Sequence, residues 1–339
     1  MMAIRPFEKT DDEYRAVLDI GNANWPDEAQ GLSEFKHEDA SRDPQYFFER
    51  FVGEVEGLIV AYGSISHCSW SHVPGKYLVF VEVHPDHHGK GYGSEMYDFL
   101  MSKLSGMDAN ALVSWTRDDK PDYIRFLTNR GFEFAMRYAV SRLDVTRLDL
   151  SEFDWTEGKM EELGVEILCL TELKKLDPDW KRSWYDLGWE LFRDIPSLDE
   201  VTQPTFERWS KRFENPSYRE NMHWFAKDGD RLVGYTGLWL SEADPEKLYT
   251  GLTGVVRSHR RKGIATALKV YGFGRAKELC AKVIETDNEE NNPMFGLNLR
   301  LGFKPVPAWT EYRRPFGEAT EARVVEARAS DATLGTASA

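Results

Sequence analysis

The ten residues Arg257-Ser-His-Arg-Arg-Lys-Gly-Ile-Ala-Thr266 lie between a β-prone run over 249–256 and an amphipathic helical pattern over 264–280. A strand therefore ends in a basic, glycine-bearing turn that leads straight into a helix. The first turn of a helix has backbone N–H groups without intrahelical partners, and its aligned peptide dipoles add roughly half a positive charge. Gly263 removes the Cβ that would hold an anion away, and Arg260, Arg261 and Lys262 add full charges. The stretch reads as a diphosphate cradle, the competing reading being a solvated basic turn or a nucleic-acid patch.

The chain contains such a cradle twice. His88-Gly-Lys-Gly-Tyr-Gly93 follows a strongly β-prone run over 76–84 and precedes a helical pattern over 92–104, in which Met96, Phe99, Leu100 and Leu104 share one face. His88 matches Arg260 at an offset of 172 residues and Gly131-Phe132 matches Gly302-Phe303 at 171, so two distant anchors agree within one residue.

The order of elements repeats as well. The first half reads as a strand over 2–6, a helix over 11–20 capped by Thr10, a turn-rich segment, a hairpin of 46–52 and 57–66, the strand–cradle–helix unit, a strand over 111–116, a short helix over 121–129 and a pair of strand segments over 131–144. The second half reads as a strand over 165–170, helices over 180–192 and 204–213, a hairpin of 222–227 and 232–240, the opening unit, a strand over 282–286, a helix over 293–301 and a last strand segment over 303–314. These patterns predict a mixed α/β protein of two tandem domains, 1–145 and 161–316. An acidic, irregular linker over 146–160 joins them, and a flexible tail over 317–339 follows.

Bulk properties agree with two folded domains. The chain has 339 residues, and its hydrophobic content of 41% suffices for two cores. No apolar run approaches the roughly 18–20 residues of a membrane span, and the N-terminus lacks a signal-peptide core, so a cytoplasmic protein is expected. Cys68, Cys169 and Cys280 are too dispersed for a metal knuckle. His84, His87 and His88 cluster near the first cradle without accompanying cysteine or carboxylate spacing, so no metal site is expected. A net charge of −14 disfavours nucleic acid and anionic membrane as partners and favours a neutral or cationic one.

Taken together, Arg260-Arg-Lys-Gly-Ile-Ala265, the Asn-bearing segment Thr286-Asp-Asn-Glu-Glu-Asn-Asn-Pro-Met294 and Asn298-Leu-Arg-Leu-Gly-Phe303 resemble the GNAT N-acetyltransferase superfamily. His88–Gly93 and Asn129-Arg-Gly-Phe132 carry the same resemblance in the first half, and the tandem arrangement is similar to that of mycothiol synthase-like proteins. The resemblance implies two GNAT-like domains, each with a mostly antiparallel, splayed sheet, and acetyl-CoA as the donor. It places the diphosphate on Arg260, Arg261, Lys262, Gly263, Ile264, Ala265 and Thr266, and the donor arm along Val255 and Val256, with Asn291, Asn292 and Asn298 nearby. In the first half it implies Val83, His88, Gly89, Lys90, Gly91, Tyr92, Gly93 and Ser94.

It further implies transfer of the acetyl group to a primary amine, a small molecule or a peptide N-terminus, by direct attack through a tetrahedral intermediate. The second half, with the fuller motif set, is expected to be catalytic, in a monomer or homodimer. The alternatives are a CoA-binding sensor without turnover, or catalysis in the first half. The family's acidic Tyr is replaced by Asn298 and Leu127, and its carboxylate base by Tyr249 and Tyr77. Tyr249, Glu242 and Tyr312 remain as catalytic candidates. Glu82 and His84 are a possible pair on one strand. Trp180, Trp184, Trp189, Trp209 and Trp224 read as core or as an acceptor wall, and Asp194, Asp199 and Glu200 as a solvated loop or a site for an acceptor cation.

Overall fold

The computed structural model describes residues 2–317, and the expected tail beyond Gly317 lies outside them. The first half runs β1 (Ala3–Pro6), α1 (Asp11–Asn24), α2 (Leu32–Ala40), β2 (Phe48–Val55), β3 (Leu58–Ser66), β4 (Lys76–Val83), α3 (Tyr92–Leu104), β5 (Ala111–Arg117), α4 (Pro121–Thr128) and β6 (Glu133–Asp144). The second runs α5 (Trp155–Leu163), β7 (Val165–Cys169), α6 (Leu170–Leu176), α7 (Trp180–Phe192), α8 (Phe206–Ser210), β8 (His223–Asp228), β9 (Arg231–Leu240), β10 (Lys247–Val255), α9 (Ile264–Glu278), β11 (Val283–Glu289), α10 (Pro293–Arg300) and β12 (Lys304–Pro315).

Three elements differ from the expectation. The segment read as an irregular linker is ordered. Asp144 and Asp149 accept the N–H groups of Thr146 and Ser151 and start two 3-10 turns, and α5 follows, closed by Gly164 at φ 66°. Its acidity caps turns as well as facing water. The helix expected over 204–213 is five residues of α8, with Thr205 accepting from the Arg208 N–H, and then a 3-10 turn over Lys211–Glu214. The paired segments expected over 131–144 are one continuous strand, β6.

All twelve strands form one sheet in the order β1-β2-β3-β4-β5-β12-β6-β11-β10-β9-β8-β7. Each half supplies six of the strands described; five stay together, and the last of each crosses over. β12 pairs with β5, β6 pairs with β11, and β6 and β12 pair with each other at the centre, all antiparallel. Leu143 of β6 thereby enters the core of the second half, and Tyr312 of β12 enters that of the first.

Charges pin the crossover on both sides. Asp27, after α1, accepts from Arg142 at 3.2 Å, and its carbonyl accepts from Lys247 at 2.7 Å. The equivalent Asp199, after α7, accepts from Arg313 at 2.6 Å and from Lys76. In each case the loop after a half's first long helix reaches the other half.

Within each half one strand pair is parallel and brief. β4 and β5 pair only from Lys76–Ala111 to Leu78–Val113, and β10 and β11 only from Lys247–Val283 to Tyr249–Glu285. Beyond those points the strands part. β10 also breaks register against β9 between Thr250 and Thr253, a bulge that takes Gly251 and Leu252 out of the ladder, whereas β4 runs against β3 without interruption. No helix among the described residues is long and apolar enough to cross a membrane.

Candidate active site

Both cradles are built the same way. Gly263 at φ 87° opens α9 and Gly91 at φ 88° opens α3. This left-handed region costs a residue with a side chain about 1–2 kcal/mol, which accounts for glycine at both turns. The Ala267 N–H is bonded to Gly263 O, so the N–H groups of Ile264, Ala265 and Thr266 precede the first helical bond of α9. Arg260 Nε donates to Val255 O at 2.9 Å, and His88 Nε2 lies 2.8 Å from Val83 O. These two residues brace each loop against the end of its strand.

The basic residues of the second cradle divide into two sets. Arg257 and Arg260 both hold Asp194, and the hydrogen bond from Arg257 foremost keeps that carboxyl below the usual carboxylate range. Arg261 and Lys262 are exposed and have no ion pair among the described residues. In the first cradle Lys90 Nζ donates to Asp86 O at 3.0 Å, and Ser94 accepts from Arg130 at 2.8 Å. A Cβ on Gly89 or Gly91 would meet open space, whereas one on Gly263 would lie 3.1 Å from the Trp155 ring of α5.

Several residues expected near the donor arm are engaged by their own chain. Val256 N–H donates to Val233 O at 2.9 Å. Asn291 donates to Glu289, Asn292 caps α10 by accepting from Met294 N–H at 3.0 Å, and buried Asn298 donates to Asn288 Oδ1 at 2.7 Å.

The three catalytic candidates do not converge. Glu242 accepts from Ser33 and from the Glu34 N–H, so it joins the turn after β9 to the start of α2. Tyr312 is buried in the first core, edge-on to Phe134 at 6.1 Å. Tyr249 alone stands where β10 and β11 part, beside Lys247, with burial raising its phenol pKa. Asp194 and Asp199, considered for an acceptor cation, are taken by arginine and lysine side chains of the protein itself.

Two features escaped sequence reasoning. β11 continues three residues beyond Thr286, and by strand alternation Asp287 shares a face with Glu285 just past the last β10–β11 pair. Asp287 reaches solvent and has no ion pair among the described residues, yet the surrounding protein desolvates it, and that together with Glu285 raises its carboxyl. The strand expected over 282–286 stops one residue short of it.

The second feature is a cavity of about 490 Å³ on the α7 side of the sheet, lined by Trp184, Trp189, Trp209, Trp239 and the bulge residue Leu252. α2 of the first half closes its far wall with His37 and Glu38. Of the five tryptophans weighed from sequence, Trp184, Trp189 and Trp209 line it, while Trp224 packs toward α9 at Gly272.

In the first half, the slot where β4 and β5 part is nearly filled, with about 30 Å³ left beside Tyr97, Tyr123 and Phe126. Buried Glu82 accepts from Asn24 at 2.6 Å and from Trp25 Nε1 at 2.8 Å, and Tyr123 donates to Asn24 at 2.7 Å. Burial pushes the Glu82 carboxyl up to about 8. His84 turns away from it, 3.8 Å from both Asp19 and Asp86, so the two do not pair.

A repeated strand–cradle–helix unit with parted parallel strands defines an acyl-CoA transferase fold, and the family match agrees. Residues 9–132 and 181–303 match the acetyltransferase (GNAT) family, and the chain belongs to it as an N-acetyltransferase with two GNAT units in tandem. Both matched segments stop at the Phe just before an exchanged strand. The chain is 22% identical over 289 residues to the mycothiol acetyltransferase of Parafrankia sp. (strain EAN1pec), covering 78% of this chain and 84% of that protein.

Among solved structures it resembles a tandem GNAT protein from the clavulanic acid biosynthesis pathway, with a TM-score of 0.72 and 18% identity over 94% of this chain and 99% of that one. A GCN5-related N-acetyltransferase from Sphaerobacter thermophilus shares the fold at a TM-score of 0.65 and 18% identity, covering 93% and 95% of the two chains.

Proposed function

We propose that the second half transfers an acetyl group from acetyl-CoA to a primary amine bound in the tryptophan-lined cavity. The observation that carries this reading is the bulge of β10, which opens onto that cavity at Leu252 and has no counterpart in β4. The donor fits the residues present: exposed Arg261 and Lys262 and the N–H groups of Ile264, Ala265 and Thr266 suit a diphosphate. The donor supplies an activated thioester.

The protein's own groups do the rest. Asp287, held above the ordinary carboxylate range, takes a proton from the amine. The N–H groups of Gly251 and Leu252, outside the ladder, face the negative charge that develops on the carbonyl oxygen. Tyr249, with its raised phenol pKa, stays protonated beside the same opening as a hydrogen-bond donor. The first half keeps its cradle, but the hydrogen-bonded group around Glu82 fills its slot, so its part is supportive.

The test is thiol release from acetyl-CoA across a panel of primary amines, for the intact chain and two matched variants. Gly263→Asp and Gly91→Asp share the backbone strain of nearly the same φ, but Gly263→Asp also brings a Cβ to 3.1 Å from the Trp155 ring, so retained folding of each variant is checked first. Gly263→Asp abolishes turnover and Gly91→Asp spares most of it. The reverse pattern moves catalysis to the first half.

A further inference from the structure

The cavity holds two arginines without an ion pair, which the transfer reaction does not explain. Four other inward-facing arginines have carboxylate partners: Arg50 with Asp39, Arg117 with Asp27, Arg142 with Glu285 and Arg313 with Asp199. Arg208 and Arg212 line the cavity and have none within 4.0 Å among the described residues. Four residues apart, across the end of α8 and the 3-10 turn after it, they lie on the same wall.

Arg212 Nε donates to Trp209 O at 3.1 Å, and its guanidinium lies over the Trp209 ring at 4.6 Å and the Trp184 ring at 5.6 Å. Its terminal nitrogens have no acceptor among the described residues. Burial pushes this guanidinium down to about 10 and lowers Arg208 as well. The cavity's carboxylates, Glu38 and Asp43, come from the segment of the first half that forms the opposite wall, and neither forms an ion pair with these arginines. Desolvating a cation without a partner is costly, and an unpaired guanidinium fork matches a carboxylate or phosphate.

We infer that the molecule bound in this cavity carries an anionic group, a carboxylate or phosphate, held by Arg208 and Arg212, on an apolar or aromatic body packed among the tryptophans. Under the reading of the cavity as the acceptor site, on which this inference rests, the acceptor is an amino acid or an amine conjugate with a second, anionic end. This differs from the neutral or cationic partner that net charge alone suggests, because the two local guanidiniums act at contact while the net charge acts at a distance.

Binding separates this inference from turnover. Intrinsic tryptophan fluorescence of the full chain is titrated with phenylacetate, its neutral counterpart phenylacetamide, and phenyl phosphate. Phenylacetate or phenyl phosphate, whichever anion the fork prefers, binds about tenfold or more tighter than phenylacetamide. Arg212→Gln and the less enclosed Arg208→Gln each remove that preference and leave phenylacetamide binding unchanged. Equal binding of the amide, preference retained in both variants, or no saturable quench with any of the three overturns the inference.

In parallel, thiol release from acetyl-CoA is compared for phenylalanine and phenethylamine. A preference for phenethylamine leaves acetyl transfer standing and overturns the anionic acceptor. Arginine-dependent phenylacetate binding, with no thiol release from any amine, keeps the anion site and removes the acetyl-transfer reading.

Discussion

Asp199 in the second half pairs with Lys76 in the first, and both side chains are largely withdrawn from water. Burial alone would raise the Asp199 carboxyl, but hydrogen bonds from Arg313 and Lys76 hold it below its ordinary value of 3.8. Asp199→Asn leaves Lys76 buried without its counter-charge, a loss of about 3–5 kcal/mol at pH 7. A carboxyl depressed by folding stabilises above its unfolded pKa and loses that contribution as pH falls through the folded value. The gap between wild type and variant in denaturant unfolding therefore narrows below about pH 4. A constant gap from pH 7 to 3 would rule the ion pair out as its source.

Glu82 titrates in the opposite sense. With its pKa moved by burial from 4.5 to about 8, the folded chain binds more protons than the unfolded chain between those values. Stability from this group is full at low pH and declines as pH rises through 8. Urea midpoints fall over that window in the wild type, and Glu82→Gln flattens the fall. Because the first half is assigned a supportive part, Glu82→Gln also retains thiol release.

Lys269, on α9, is buried and has no ion pair among the described residues; its ammonium lies 5.5 Å from the Phe303 ring, and burial pushes its pKa down to about 7. Between that value and its ordinary 10.5 the unfolded chain holds the extra proton, so stability rises with pH. Lys269→Met keeps the volume and removes the charge. It raises Tm by several degrees at pH 7, and the gain shrinks toward pH 10.

For Asp287, the acidic limb of the pH–rate profile lies above the ordinary carboxylate range, since desolvation raises its pKa. Asp287→Asn removes that limb and lowers kcat by about 10²–10⁴-fold, with the KM for acetyl-CoA little changed. An unaltered kcat would leave the amine to lose its proton directly to water.

Local chemistry in the sequence pointed to much of this structure. Gly91 and Gly263 marked left-handed turns, and the apolar face of Met96, Leu100 and Leu104 marked a helix packed on strands. The pairing of strands was not legible. The β-prone runs ending each half announce strands but carry no sign of which edge they join, so β6 and β12 read as belonging to their own halves.

The same gap hid the charges. Asp199 reads as a loop residue or a cation site and Glu242 as a catalytic candidate, until the opposite half is brought against them and against Asp27. Arg260 was legible as part of the loop, but its bond to Val255 O was not, because a cation near an expected anion suggests binding before bracing. Arg208 and Arg212 were unremarkable in sequence, since only the fold shows that their partners are missing.

The exchanged strands also bear on how a duplicated protein ages. A second copy is ordinarily free to decay once the first suffices. Here the first half supplies the strand that completes its sibling's sheet and the helix that walls its sibling's cavity. Whatever chemistry it keeps or loses, losing its fold would dismantle both.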